Sequence, residues 1–241
     1  MTINYSAISR ETIFGKVLRL PLKLLPKNLI IPIIQGEIRG YKWIIGSGVN
    51  GYWLGSYELK KVSLFIKTIK DKKLRVIYDI GAHVGYYTLI SSKCVGDKGI
   101  VYSFEPNPQN IFYLKKHIEI NKINNVSIIE RAVSNFIGTV NFDITSNTST
   151  GKIADKGVPI QSITIDYFMF KNNNNPPEIM KIDIEGAELD ALKGAKETIT
   201  KFHPIIFLSL HSGDLYKECK RLLNNYSYKI QEFEDNEIIA F

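Results

Sequence analysis

The stretch LRVIYDIGAHVGYYTL, residues 74–89, decides the fold of this 241-residue chain. Its first half is rich in β-branched and aromatic residues and predicts a strand, and its second half predicts a helix that continues to residue 95. Asp79, Gly81 and Gly85 lie where the strand gives way to the helix. Glycine has no Cβ, so a turn of this composition lets a ligand lie close against the backbone.

This turn differs from the two best-known nucleotide-binding turns. His83 stands where the dinucleotide pattern G-x-G-x-x-G has its middle glycine, and the phosphate-binding pattern G-x-x-x-x-G-K-[ST] is absent. A carboxylate at Asp79 would repel phosphate but could hold an ammonium group. S-adenosylmethionine (SAM) fits, because it has no phosphate and carries a sulfonium and an ammonium. The turn residues expected to contact this cofactor are Gly81, Ala82, His83 and Gly85.

Two further strand ends carry groups that suit the same cofactor. The strand IVYSFEP, which begins at residue 100, ends in Glu105 and Pro106, and the Glu105 carboxylate could accept hydrogen bonds from both ribose hydroxyls. Taken singly, Asp79 could be a helix N-cap and Glu105 a surface acid. Suitable groups at three successive strand ends favour a binding site. The candidates at the third end, for the adenine edge, are Glu130 and the backbone of Arg131 and Ala132.

The segment MKIDIEGAELDALKGA, residues 180–195, places acids where another strand turns into a helix. Asp183, at the strand tip, could accept a substrate hydroxyl, act as a base or bind a divalent cation, although we expect no resident metal. Glu185 and Glu188 could simply favour the helix dipole. His211 ends the strand PIIFLSLH and could take a hydroxyl proton. The candidate catalytic residues are Asp183, His211 and Glu185; His83, His117 and His203 are expected to be structural.

The body of the chain alternates strands with helices. Strands are predicted at 100–105, 126–131, EIMKIDI and PIIFLSLH, and helices over 108–121, 187–202 and 213–224. Further strands are predicted for GTVNFDI and QSITIDYFM, with YKIQEFE and EIIAF as a final antiparallel pair. This alternation predicts a parallel sheet wrapped on both faces, whose ligands bind at the carboxyl ends of the strands.

The chain ahead of this body is less regular. Residues 11–34 mix leucine and isoleucine with lysine and arginine between three prolines, which predicts short helical turns docking on the core rather than a weak membrane-interface anchor. Residues 36–58 predict a small hairpin, and residues 58–70 predict a helix. The predicted division is therefore an N-terminal extension, residues 1–57, and a SAM-binding domain, residues 58–241.

Composition and charge narrow the functional classes. Hydrophobic content of 44% and charged content of 23% are typical of a globular protein. Residues 1–77 carry 14 lysines and arginines against 4 acidic residues, so the positive charge is concentrated in the N-terminal third of the chain. No aromatic-interleaved basic stripe accompanies it, so no nucleic acid is expected, while contact with a membrane surface or partner stays open. Two unpaired cysteines and no signal peptide or membrane-length apolar run favour a cytoplasmic protein.

Together these motifs resemble the FkbM family of SAM-dependent methyltransferases over roughly residues 55–212. The resemblance rests on YDIGAHVGYYTL, SFEPNPQNIFYLKKHIEIN, ERAVSN followed by GTVNF, TIDYF, MKIDIEGAELDALKGA and PIIFLSLH. It implies an α/β, Rossmann-like class I methyltransferase fold, with a mostly parallel seven-stranded sheet and an antiparallel C-terminal strand. It further implies methyl transfer to a hydroxyl of a small-molecule, sugar or glycan acceptor, with Tyr57 and Glu58 bordering the cofactor pocket.

One position departs from the family pattern. Members commonly carry a glutamate two residues before the histidine that matches His211, and here that position is Ser209. Asp183 or Glu185 could replace this acid, or the chain could be a SAM-binding scaffold with weak or no turnover. Methyl transfer to nitrogen or to protein also stays open, whereas His83 argues against a nicotinamide-dependent oxidoreductase. The polar stretch 145–156 could present hydroxyls to a sugar or be a plain loop. The oligomeric state is not predicted.

Overall fold

The computed structural model describes residues 25–143, 157–234 and 236–241, and the backbone of residues 152–153. Residues 11–24 of the predicted docking turns and most of the polar stretch 145–156 lie outside the described residues. Among the residues that are described, no helix combines the length and the apolar character needed to cross a membrane.

The described part of the extension is a small hairpin followed by a helix. Strands β1 (Ile30–Pro32) and β2 (Lys42–Ile44) pair antiparallel, and α1 (Asn50–Leu54) follows. The hairpin predicted within residues 36–58 was therefore wrong in its bounds, because its first strand lies earlier and its second half is helical. In the sequence, the glycines after β2 suggested breaks between short strands. One of them, Gly55, instead ends α1 in the left-handed conformation.

This hairpin packs against the rest of the protein through two stacked rings, those of Trp43 and His117. The Trp43 ring lies 3.9 Å from the His117 ring, centroid to centroid, and both side chains are buried. The Ile44 N–H donates to His117 Nε2 at 3.2 Å, and His117 Nδ1 lies 2.8 Å from the Val84 carbonyl oxygen. Burial lowers the pKa of His117 to about 4, so the ring is neutral at physiological pH. His117 is structural, as predicted.

The body then alternates helices and strands. Its first half comprises α2 (Leu59–Lys72), β3 (Val76–Ile80), α3 (Tyr86–Val95), β4 (Ile100–Phe104), α4 (Pro108–Ile120) and β5 (Val126–Ile129). Four short strands follow: β6 (Ala132–Val133), β7 (Gly138–Asp143), β8 (Lys152–Ile153) and β9 (Val158–Ile163). The second half comprises a π-helical turn (Tyr167–Lys171), β10 (Ile179–Ile182), α5 (Glu188–Lys193), α6 (Lys196–Phe202), β11 (Ile205–Ser209), α7 (Gly213–Asn225), β12 (Ile230–Glu232) and β13 (Glu237–Ala240).

Seven of these strands form one sheet in the order β12-β13-β11-β10-β3-β4-β5. The pairs between β11 and β5 are parallel, and β13 runs antiparallel to both of its neighbours. The predicted Rossmann-like class I methyltransferase fold is confirmed. The chain order reverses between β3 and β10, which is the point where open sheets of this kind form a ligand crevice.

Side-chain alternation divides the core between the two faces of the sheet. Ile77 belongs to the buried cluster that includes residues of α2, α3 and the hairpin, whereas its neighbour Tyr78 belongs to the cluster that includes residues of α5, α6 and α7. Both residues are fully buried. Strands buried on both faces explain the continuous apolar runs that marked them in the sequence.

Two predicted elements are divided in the structure. QSITIDYFM begins in β9, which belongs to a separate four-stranded sheet, β6-β9-β7-β8, and ends in the π-helical turn. The helix predicted over 187–202 is broken into α5 and α6 at Gly194. A Cβ on Gly194 would lie 2.1 Å from the Ser134 carbonyl oxygen, so the backbones touch at this break. That contact is long-range, and helical periodicity does not report it.

Gly81→Ala tests the tight packing of the turn after β3 against the backbone of Asp183. A Cβ there would lie 1.9 Å from the Asp183 carbonyl oxygen, and φ is +83°. We expect a loss of roughly 2–4 kcal/mol in the free energy of unfolding, measured by urea denaturation. The matched control is Gly213→Ala, where a Cβ meets nothing within 4 Å and the free energy should stay unchanged or rise slightly. Equal effects of the two substitutions would contradict the packing described.

Candidate functional site

The carboxyl ends of β3, β4 and β10 border a cavity of about 230 Å³. Residues proposed from the sequence that line it are Gly81, Ala82, His83, Glu105, Pro106, Asp183 and Glu185. An adjoining cavity of about 20 Å³ is lined by two more, Arg131 and Ala132. Neither cavity lining includes Glu58, Asp79, Gly85 or His211. Of the ten proposed cofactor residues, five line the larger cavity, two more line the adjoining one, and three line neither.

The turn after β3 is shaped by its backbone and held by the acid of the next strand. His83 has a φ of +52°, a left-handed conformation that glycine adopts more easily. Its N–H donates to Glu105 Oε2 at 2.7 Å. Its Nδ1 lies 3.4 Å from the Tyr52 hydroxyl. The histidine in the middle-glycine position thus keeps a glycine-like backbone and adds a ring to the cavity lining.

Glu105 is a buried carboxylate with donors already on both oxygens. Its Oε1 accepts from the Asn107 N–H at 2.9 Å and from Asn110 Nδ2 at 3.2 Å. Burial raises the pKa of Glu105, against these hydrogen bonds. Asn110 Oδ1 is buried and has no hydrogen-bond partner among the described residues. This side of the cavity therefore offers oxygen acceptors to a ligand that brings hydroxyl groups.

Asp79 lies behind the cavity, next to a lysine that lines it. Asp79 Oδ2 accepts from Thr88 Oγ1 at 2.6 Å, and burial raises the pKa of Asp79. Lys181, its register partner on β10, donates to the Gly81 carbonyl oxygen at 2.9 Å. Sequence reasoning missed Lys181, although a lysine inside a buried strand is itself unusual.

The acids after β10 converge on His211. His211 Nε2 lies 3.3 Å from Glu185 Oε2 and 3.5 Å from Asp183 Oδ1. Burial would raise the pKa of Asp183, but Lys181 and other nearby cations outweigh it and lower the pKa. Asp183 is therefore ionised at neutral pH. The pKa of the more exposed Glu185 is raised, chiefly by burial.

Glu188 is the group that orients the histidine. It is fully buried, and its Oε1 lies 2.8 Å from His211 Nδ1 and 3.0 Å from the Gly186 nitrogen. The hydrogen bond to Glu188 raises the pKa of His211 above its ordinary value, against burial, and the carboxylates of Asp183 and Glu185 add to this effect. From the sequence, Glu188 was expected only to favour the helix dipole, so its contact with His211 was missed. The signal was its position one helical turn before the apolar Ala191 and Leu192, on the buried face of α5.

Three of these side chains have ligand atoms that could hold a metal. Asp183, Glu185 and His211 each offer one atom, and these atoms lie within 4.8 Å of one another. Two carboxylates and an imidazole form a donor set that divalent cations accept. The same arrangement is also stable as an imidazolium between two carboxylates, so the geometry alone does not require a metal.

Tyrosines form much of the remaining lining, namely Tyr52, Tyr57, Tyr86 and Tyr87. Burial raises the pKa of Tyr52 and Tyr57 well above its ordinary value, so their hydroxyls remain protonated donors rather than bases. The Tyr87 hydroxyl donates to Glu58 Oε2 at 2.7 Å. Glu58 therefore supports a cavity residue from behind, and its direct contact with a cofactor stays a prediction.

Ser209 stands opposite an acid on the neighbouring strand. Its register partner on β13 is Glu237, and its hydroxyl lies 3.3 Å from Glu237 Oε2. Buried Lys61 bridges the two, donating to the Ser209 hydroxyl and to Glu237 Oε1. A carboxylate therefore occupies this region of the sheet, although it comes from β13. Orientation of His211 itself is supplied by Glu188.

The family described as Methyltransferase FkbM domain matches residues 79–239, from the middle of β3 into β13. The chain belongs to the FkbM methyltransferase family. The resemblance drawn from the motifs is thus confirmed. The FkbM match spans the turn, both strand-end acids and the Glu188–His211 pair, and it leaves out the hairpin and α2.

Similar proteins include a curated hexuronic acid methyltransferase, AglP of Haloferax volcanii, which is 26% identical over 152 residues. That alignment covers 62% of this chain and 61% of AglP. The FkbM methyltransferase structure from Methylobacillus flagellatus matches with a TM-score of 0.51 at 20% identity, covering 70% of this chain and 44% of that one. At 20% identity, this similarity shows a shared fold and nothing further. The chain spans about three fifths of the first relative and less than half of the second.

Glu188→Gln tests the electrostatic account of His211. Loss of the negative partner should lower the pKa of His211, because the imidazolium loses its principal stabilising contact. The measurement is an NMR titration of the His211 ring proton. Asp190→Asn on the same helix is the matched control, since Asp190 is half-exposed and contacts Asn135 and Lys193 instead. An unchanged pKa in Glu188→Gln would contradict the account.

Proposed function

We propose that this chain is a SAM-dependent methyltransferase that transfers a methyl group to a hydroxyl of a sugar, glycan or natural-product acceptor. The observation that carries the proposal is the contact of His211 with both Glu188 and Asp183 beside the cavity. Transfer to a hydroxyl needs a group that takes its proton, and an imidazole held by a buried carboxylate is such a group. Membership of the FkbM family supports methyl transfer, and the similarity to a hexuronic acid methyltransferase supports a sugar acceptor.

The cavity suits SAM by the chemistry of its lining. Glu105 retains acceptor capacity beyond its present hydrogen bonds, and Asn110 Oδ1 is a buried acceptor without a partner among the described residues, so both can serve ribose hydroxyls. The adjoining small cavity, beside Arg131 and Ala132, would take the adenine edge. The Gly81 carbonyl and the Asp183 carboxylate suit an ammonium group. Glu105, Gly81, Arg131 and Ala132 are cofactor residues proposed from the sequence. Asn110 is added by the structure, and Asp183 takes the ammonium contact that the sequence analysis gave to Asp79.

SAM, when bound, supplies a methyl group activated by its sulfonium. The protein then has to orient the acceptor, exclude water and remove a proton. Asp183 is ionised and lines the cavity, so it can accept a hydrogen bond from the acceptor hydroxyl. His211 Nε2, 3.5 Å from Asp183 Oδ1, takes the proton as the hydroxyl oxygen becomes nucleophilic. Glu188 stabilises the resulting imidazolium.

The charges of the site favour a hydroxyl over a carboxylate acceptor. A carboxylate is already nucleophilic and needs no base, and Asp183 and Glu185 would repel it. A second candidate function is SAM binding without turnover, which the missing strand glutamate at Ser209 suggested. The Glu188–His211 pair favours turnover over this alternative, because it provides a proton acceptor beside the cavity. Contact of the basic N-terminal segment with a membrane or partner stays a prediction.

Glu105→Gln should weaken binding of S-adenosylhomocysteine by about 10-fold or more, because a charged acceptor for the ribose hydroxyls is lost. Isothermal titration calorimetry measures the affinity, and thermal unfolding checks that the fold is kept. Glu130→Gln is the matched control. Glu130, a sequence candidate for the adenine edge, lies in neither cavity lining; it is exposed and pairs with Lys115 at 2.6 Å, so its replacement should leave the affinity unchanged. Unchanged affinity in Glu105→Gln would refute the ribose assignment.

His211→Gln should leave S-adenosylhomocysteine binding intact and lower methyl transfer about 100-fold or more. The assay follows methyl incorporation into a panel of neutral sugars and uronic acids. In the unsubstituted protein the rate should rise with pH through a value above 6.5, since His211 accepts a proton only in its neutral form and its pKa is raised. Glu188→Gln should move this rise to lower pH. Cofactor binding without transfer to any acceptor would favour the non-catalytic alternative.

A further inference from the structure

Lys181 is a buried ammonium at the wall of the cavity. Its side chain is 5% exposed, yet the residue lies among those that line the cavity. It is the single lysine or arginine among the described residues that line this space. Any anionic group of a ligand bound there therefore has one fixed cation to approach.

The contacts of Lys181 leave part of its hydrogen-bonding capacity unused. Its strongest contact is the 2.9 Å hydrogen bond to the Gly81 carbonyl oxygen. Asp79 Oδ1 and Asp183 Oδ2 both lie 3.6 Å away, beyond good hydrogen-bond distance. Asp79 Oδ1 is moreover buried without a hydrogen-bond partner among the described residues. An ammonium has three donors, so at least one remains for a ligand.

The charges around Lys181 match those of an amino-acid group. The carboxyl groups of Asp79 and Asp183 flank the Lys181 ammonium, each with an oxygen 3.6 Å from Nζ. SAM carries one net positive charge, from a sulfonium, an ammonium and a carboxylate. The ammonium suits the two carboxylates and the Gly81 carbonyl, but the same acids would repel the carboxylate of SAM unless a cation received it.

We propose that Lys181 binds the α-carboxylate of the SAM methionine group, while Asp183 and the Gly81 carbonyl receive its ammonium. The inference rests on the proposed use of SAM and adds the residue that distinguishes SAM from ligands without a carboxylate. Glu105 and Lys181 are hydrogen-bonded to His83 and Gly81, which both belong to the turn after β3. The ribose and methionine groups would therefore lie along this turn. A hydrogen bond between the Lys181 ammonium and a carboxylate is charge-assisted, and in a buried place such a bond contributes strongly to affinity.

The experiment compares two ligands that differ only in the carboxylate. Calorimetry measures S-adenosylhomocysteine and its decarboxylated analogue, S-adenosyl-3-thiopropylamine, with the unsubstituted protein and with Lys181→Met. The unsubstituted protein should prefer S-adenosylhomocysteine by about 10- to 100-fold. In Lys181→Met this preference should disappear, through weaker binding of S-adenosylhomocysteine and not of the amine. Lys181→Arg, which keeps the charge, should retain a preference.

Lys181→Met leaves Asp79 facing no cation and could unfold the protein. The double variant Lys181→Met/Asp79→Asn removes this unpaired charge, and the same loss of preference is expected in it. A preference kept in either folded variant would overturn the inference while leaving the use of SAM intact. Equal binding of the two ligands by the unsubstituted protein would also overturn it. Binding of neither ligand would refute the proposed function and this inference with it.

Discussion

The backbone contact between Gly81 and the carbonyl of Asp183 is the constraint on which the site depends. A side chain at residue 81 would separate the turn after β3 from the turn after β10. These two strands are neighbours at the point where the chain order of the sheet reverses. The glycine lets the turn after β3 carry the backbone proposed for the cofactor, while the turn after β10 carries Asp183, which is proposed to contact both the cofactor ammonium and the acceptor hydroxyl. Both turns therefore face a single cavity, as transfer between two small ligands requires.

Around that contact, charged side chains lie within 4 Å of one another. Lys181 lies 3.6 Å from both Asp79 and Asp183, and His211 touches Asp183 and the buried Glu188. Lys181 and His211 lower the pKa of Asp183, and Asp183 in turn raises the pKa of His211, so these groups are electrostatically coupled. A mutation at one of them therefore shifts the pKa of its neighbours. Effects on binding and on proton transfer are therefore expected to be non-additive.

Much of this arrangement could be predicted from the sequence because it depends on local signals. Apolar runs marked the buried strands, and the glycines and acids at the strand ends marked the cavity. Lys181 and Glu188 escaped because their partners lie far away along the chain. The break at Gly194 escaped for the same reason, since it depends on contact with Ser134. The buried face of an element can mark such a residue as unusual, as it does for Lys181 and Glu188, but the sequence does not show which distant group it contacts.

The antiparallel strand β13 gives the sheet a second way to supply an acid. Glu237 faces Ser209 across the ladder, and Lys61 joins the two. The carboxylate expected on one strand is thus present on its neighbour, 28 residues later in the chain. If only the position on β11 is compared, the acid is missing. If the residue that faces it on β13 is included, a carboxylate is present in the same place. Relatives of this chain should therefore be sorted by residue pairs across β11 and β13, and not by the single position before the histidine.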